Sequence, residues 1–397
     1  MTPGRPPTGP SGRALFGLAF RPFFFGAAVF AVLAVALWAA AYLGWLGGFA
    51  PRGGWLAWHL HEMPFGFAVA VIAGFLLTAV RTWTGSPGLA GRPLAALFAL
   101  WLAARIGWLW PAAPWPALAA VELLFGPLVA ARLGWQLARA GQRRNYPLVG
   151  LLALLTAADA ASVYALAQAD FGLLRQAAWA ALWLIGTVIA IIGGRVIPLF
   201  TASGLGRPAP PPAPAWLQHA AVGGLLVLAA AAAGGVGLSP DPRLAPLLAI
   251  LALLHGLRLV RGWQPGAWRV PLVWSLHVGY GWLVLALAGL ATWHAGLPLP
   301  GSAALHALAV GCIGGLILAM MARVSLGHTG RPLVASPAMA LAFGAITLAA
   351  VARVALAGSQ PRLAVALAAG FWCLAFGLFV CCHGPMLWRP RPDGRPG

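Results

Sequence analysis

Apolar runs follow one another along the chain, broken at short intervals by Pro, Gly and Arg. The runs match the roughly 20 residues an α-helix needs to cross a bilayer, and the breaks hold helix-stopping residues. The pattern predicts twelve spans, over 22–47, 57–80, 93–110, 116–137, 146–168, 173–194, 215–237, 244–260, 270–293, 301–322, 333–357 and 363–388. The fold class that follows is all-α, a polytopic membrane protein with twelve transmembrane helices. Residues 1–13, rich in Pro, Gly, Ser and Thr, read as a disordered tail. Residues 14–397 then form one membrane domain.

Landmarks recur every four spans, which suggests three parallel repeats of about residues 14–143, 144–268 and 269–397. Spans 1, 5 and 9 open on Arg21-Pro22, Arg144…Pro147 and Arg269…Pro271. Spans 2, 6 and 10 run to an Arg and then to Gly91-Arg92-Pro93, Gly206-Arg207-Pro208 and Gly330-Arg331-Pro332. Spans 4, 8 and 12 carry Phe125-Gly126-Pro127, His255-Gly256-Leu257 and His383-Gly384-Pro385. Repeats of this kind often place a site at their interface.

Composition agrees with the pattern: 61% of residues are hydrophobic and 8% charged, against about 25% charged in soluble domains. A net charge of +19 would suggest nucleic acid in a soluble protein. Here it labels topology. Nineteen arginines fall on the side of the N-terminus and four (Arg52, Arg175, Arg243, Arg362) on the other. The positive-inside rule then places both termini in the cytoplasm. Arg105 and Arg353 fall inside spans.

Ionisable groups in hydrocarbon are costly and mark candidate sites. Toward the cytoplasmic side, His255 and His277 sit at similar depths, roughly 12 Å from the edge at about 1.5 Å per residue, on consecutive antiparallel spans. Such a pair suits trans ligation of one haem iron, with Arg258 and Arg323 placed for the propionates and His328 in the turn after span 10. His383 and His219 read more simply as packed or interfacial histidines.

The outer side carries Trp58-His59-Leu60-His61-Glu62-Met63 and His306. Imidazoles bind copper well, so a copper set of His59, His61 and His306 is the reading here. A regular helix points residues i and i+2 about 200° apart, so this set needs an irregular helix start. Glu62, at i+3 from His59, is placed to orient a ligating imidazole, and Arg331 is a second supporting residue. Arg105, Glu122 and Asp159 fall at comparable depths. Arg105 and Asp159 read as a buried ion pair, with a proton path as the bolder alternative. All four Cys lie in spans, and no Cys-x-x-Cys-His occurs, so any haem is non-covalent, of b-type. No Walker loop supports nucleotide hydrolysis.

Four runs resemble one known family: Leu18-Ala19-Phe20-Arg21-Pro22-Phe23-Phe24; Trp58 to Met63 with Phe65-Gly66-Phe67; His306-Ala307-Leu308 with Ala322-Arg323 through Gly327-His328-Thr329-Gly330-Arg331-Pro332; and the Pro385-Met386-Leu387…Asp393-Gly394-Arg395-Pro396-Gly397 tail. Together they resemble the NnrS family. The resemblance implies a twelve-helix bacterial inner-membrane protein with haem and copper, acting in nitric oxide response, denitrification or relief of nitrosative stress. It carries His59, His61, Glu62, His306, Arg323 and His328 directly. Whether the protein turns over nitric oxide or only binds it stays open, as does its electron donor. The alternative is a transporter of a metal or small haem-related compound, motivated by the repeats and mid-membrane charges. The scarcity of carboxylates argues against a cation path. A sensor has no soluble output domain behind it.

Overall fold

The computed structural model describes residues 14–394, so the expected tail over 1–13 lies outside the described residues. Twelve helices are long and apolar enough to cross a membrane. They are α1 (Phe20–Leu43), α2 (Trp55–Thr84), α3 (Gly91–Leu109), α4 (Trp115–Arg139), α5 (Arg143–Gln168), α6 (Phe171–Leu205), α7 (Ala215–Ala233), α8 (Pro242–Gly262), α9 (Pro271–His294), α10 (Gly301–His328), α11 (Pro337–Ala355) and α12 (Pro361–Trp388). No strand occurs among the described residues. Each helix corresponds to one of the twelve spans read from the sequence.

The boundaries follow local chemistry. Proline opens α9, α11 and α12, where its missing N–H costs nothing. Gly44, Gly85 and Gly206 end α1, α2 and α6 with φ of 85°, 65° and 62°, a left-handed conformation that glycine adopts without strain. Two helices are longer than their apolar runs. Helix α6 continues to Leu205, well past residue 194, and in this extension Arg195 reaches the start of α5, its Nη1 donating to Asn145 Oδ1 at 2.8 Å. Helix α10 continues to His328, which therefore ends a helix and does not lie in the following turn.

The helices divide into an inner and an outer set. In their most apolar windows α2, α10 and α6 are 83%, 78% and 72% buried, while the other nine range from 28% to 56%. The outer helices show Leu253, Val260, Ile106 and Leu285 to the surroundings. Large exposed apolar side chains on long helices are what a hydrocarbon environment requires. The inner helices are every fourth in chain order.

Two inner helices are interrupted. Helix α2 widens to a π-helix over Glu62–Ala68 and α10 over Ala307–Gly314. In α2 the segment contains Pro64, which cannot donate within the ladder. In α10 it contains Gly311 and Gly314, whose bare backbones face the indoles of Trp282 and Trp372. Both segments begin directly after a histidine, and π-segments inside helices often mark functional sites.

The first and last helices meet. Arg21 is buried near the start of α1, and its Nη1 donates to the carbonyls of Leu387 and Arg389 at 2.9 and 2.8 Å. A cation thus caps the C-terminal end of α12, where the helix dipole favours positive charge.

Candidate metal centre

The first histidine compartment lies among α2, α3, α4 and α5. His61 is fully buried, with Nδ1 2.9 Å from Ser162 Oγ and its ring packed on Trp108 at 4.4 Å. Glu122 Oε1 lies 3.8 Å from His61 Nε2, and Asp159 Oδ1 lies 3.9 Å from Nδ1. Arg105 pairs with Glu122 through Nη2 and with Glu62 through Nη1 at 3.2 Å. Trp108 Nε1 also donates to Glu122 Oε2, at 2.7 Å.

This arrangement corrects two expectations. Arg105 was expected to pair with Asp159; its direct partners are Glu122 and Glu62, and Asp159 turns to His61. Glu62 was expected to support His59; it packs with His61 and Arg105 instead. The physical reason is charge: Arg105 stands between the two glutamates, and Glu62 Oε2 lies 3.2 Å from its Nη1. Gly66 completes the geometry, because a Cβ there would collide with Arg105 Nη1 and Glu62 Oε2. Its carbonyl accepts from Trp101 Nε1 at 2.8 Å.

The second compartment lies on the other side of α2. His59 stacks on Trp38 with centroids 4.7 Å apart and planes 17° apart. It lines a cavity of about 100 Å³ with His306, Arg353, Met63, Phe67 and Trp372 among its other walls. His306 Nδ1 lies 2.6 Å from the carbonyl oxygen of Ser302, one turn back on α10. A carbonyl only accepts, so Nδ1 carries the proton and Nε2 keeps its lone pair. Metal-ligating histidines are commonly held in this way. His59 Nδ1 is buried and has no hydrogen-bond partner.

His61 is therefore not brought together with His59 and His306. Trp55–His61 is a regular α-helix, so residues two apart diverge. The expected three-histidine copper set is divided between two compartments.

The inner pair also separates. His255 Nδ1 lies 2.8 Å from the Tyr280 hydroxyl and Nε2 3.2 Å from the Ala221 carbonyl, so both ring nitrogens are engaged. His277 Nε2 meets Thr201 Oγ1 at 2.9 Å, and its ring lies edge-on to Trp263 at 5.0 Å. The register of α8 against α9 sets His255 opposite Tyr280, one turn beyond His277. A haem iron shared by His255 and His277 does not fit this arrangement. Arg258, expected near a propionate, donates through Nη2 to the Ala190 carbonyl at 2.6 Å and to Gln218 Oε1 at 2.8 Å.

The remaining candidates are structural neighbours of the helix ends. Arg323 lies over Phe200 at 3.9 Å. The His328 ring is 5.5 Å from Phe20, and its carbonyl accepts from Arg391 Nη1 at 3.0 Å. Arg331 Nη1 donates to the Thr329 carbonyl at 3.3 Å. The Arg331 guanidinium is itself held below its ordinary range, first by burial and then by Arg389. His383 stacks on Phe379 at 4.8 Å.

Sequence reasoning missed five participants: Arg353 and Trp38 in the cavity, and Ser162, Thr201 and Tyr280 as imidazole partners. An arginine inside a span was the available signal for Arg353.

The chain matches the family described as NnrS protein over residues 14–391. No curated protein matches it.

Proposed function

The chain belongs to the NnrS family, and from that premise we propose a haem-centred membrane protein of the nitric oxide response whose centre is the His59–His306 cavity. The observation that carries the reading is the pair of imidazoles lining one cavity, each with an available nitrogen: His306 Nε2, freed by the bond of Nδ1 to Ser302, and the unpartnered Nδ1 of His59. Such a pair beside a guanidinium is what bound haem needs: imidazole for iron and Arg353 for a propionate.

In this reading His59 and His306 hold the iron and Trp38 fixes the His59 ring by stacking. Met63, Phe67 and Trp372 keep water from the group. Haem supplies gas binding or single-electron transfer, and the ligand set decides between them. The two imidazoles then serve haem, and copper has none of the cavity's histidines left to it. The role is protection from nitrosative stress or support of denitrification, in the bacterial inner membrane with both termini cytoplasmic. Three four-helix blocks, 14–143, 144–268 and 269–397, each give their second helix to the centre.

The test is the metal and haem content of protein purified from a haem-replete host, with absorption spectra before and after nitric oxide. The reading predicts about one haem per chain and a spectrum changed by the gas. Protein without haem, or haem that survives the double variant His59→Ala with His306→Ala, contradicts it.

A further inference from the structure

The cavity of His59 and His306 makes no use of the cluster around His61. There the carboxylates of Glu62, Glu122 and Asp159 and the guanidinium of Arg105 are all buried. Fully ionised, three carboxylates and one guanidinium leave two negative charges, and neutral His61 adds none. An uncompensated charge of that size inside a membrane is very costly.

The cations and the anions are not evenly mixed. Arg105 covers Glu122 Oε2 and Glu62 Oε2, on one side of the cluster. Away from Arg105, Glu122 Oε1 faces His61 Nε2 at 3.8 Å, and Asp159 Oδ1 lies 3.9 Å from Nδ1 of the same ring. His61 Nε2 and Asp159 Oδ1 are buried without a hydrogen-bond partner. One ligand atom from each of His61, Glu122 and Asp159 lies within 4.8 Å of the others.

We propose that His61, Glu122 and Asp159 bind one divalent first-row transition-metal cation, at a site separate from the His59–His306 cavity. One imidazole and two carboxylates form a mixed nitrogen and oxygen donor set suited to such ions. A charge of +2 balances the cluster. With Nδ1 engaged by Ser162, Nε2 is the nitrogen available to the ion. Glu122 divides its oxygens, Oε2 held by Arg105 and Trp108 and Oε1 turned to the metal side. Bonds of about 2.0–2.2 Å require the ligand atoms to close by about 1 Å.

Zinc is the probe, because it has no redox or visible signal of its own and leaves a haem spectrum readable. Full-length protein is stripped with a chelator, dialysed against zinc chloride and assayed for bound metal. The proposal predicts one zinc equivalent per chain. Asp159→Asn and His61→Gln should each weaken binding by about 100-fold or more, while His59→Ala and His306→Ala retain it. Elution as a single species shows that each variant is folded. Should either ligand variant fail to fold, X-ray absorption of zinc on the wild-type protein must read one imidazole nitrogen and carboxylate oxygens. Wild-type protein without a zinc equivalent overturns the proposal. So does zinc lost only in the His59 and His306 variants, or an infrared band of a protonated carboxyl that persists at saturating zinc and vanishes in Asp159→Asn. Because the cavity's haem is read by its spectrum and this site by zinc content, either reading can fail without the other.

Discussion

His59 and His61 stand two residues apart on α2 and serve opposite sides of it. His59 stacks on Trp38 and borders the cavity that His306 and Arg353 complete. His61 is enclosed by Ser162, Glu122 and Asp159. A short motif therefore supplies one imidazole to each of two compartments, and Glu62 joins the second.

Gly66 is where the Arg105 guanidinium crosses α2. Gly66→Ala places a Cβ into Arg105 and Glu62 and should destabilise the protein by about 1–3 kcal/mol, the usual cost of overpacking. Gly150→Ala is the control, since a Cβ at Gly150 meets nothing within 4 Å. Thermal unfolding in detergent should show a lowered midpoint for the first and not for the second; equal midpoints contradict the crossing.

Arg105 and Glu122 form the tightest buried pair of the cluster. Arg105→Met strands carboxylates in the interior and should cost roughly 3–5 kcal/mol. Arg105→Met combined with Glu122→Gln should recover part of that loss. A double-mutant cycle by chemical unfolding measures the coupling, and additive losses would show that the two groups act independently.

The fold was legible to the extent that it depends on apolar length. All twelve spans were marked by runs bounded with Pro, Gly and Arg, and the errors were in length. Helix α6 outran the span read from its sequence, and there Arg195 finds Asn145, a contact between helices that local sequence does not encode. Intramembrane charges were equally visible as single residues, yet their partners were not. Depth placed Arg105, Glu122 and Asp159 together, but gave the guanidinium to Asp159, whereas its direct partners are Glu122 and Glu62. For His255 and His277, equal depth did not bring contact, since a shift of one turn in register sends His255 to Tyr280. The divergence of His59 and His61 follows from helical geometry alone.

Arg21 ties the first helix to the last. Arg21→Met removes charge-assisted bonds to the Leu387 and Arg389 carbonyls, each worth on the order of 1.5–3 kcal/mol. Hydrogen exchange and proteolysis should accelerate over residues 386–394 and change little in α6. Unchanged protection at the C-terminal end would rule out Arg21 as the cap.

Asp241 gives a pH-dependent contact outside the spans. The backbone N–H of Arg243 is the main reason its carboxyl lies below the ordinary range, and the Asp241 N–H donates to His294 Nδ1 at 3.0 Å. A depressed value in the folded protein means the stabilisation is present above the ordinary carboxyl value, about 3.9, and is lost as pH falls through the folded value. The unfolding midpoints of the wild type and Asp241→Asn should therefore differ at neutral pH and converge in acid. A gap independent of pH contradicts this.

The most direct test of the central claim is the absorption spectrum of single His→Ala variants at 59, 61, 255, 277, 306 and 328, each purified from the same haem-replete host. The cavity account predicts that haem is lost or altered at 59 and 306 and retained at 255 and 277. Haem that survives at 59 and 306 but disappears at 255 or 277 would contradict it.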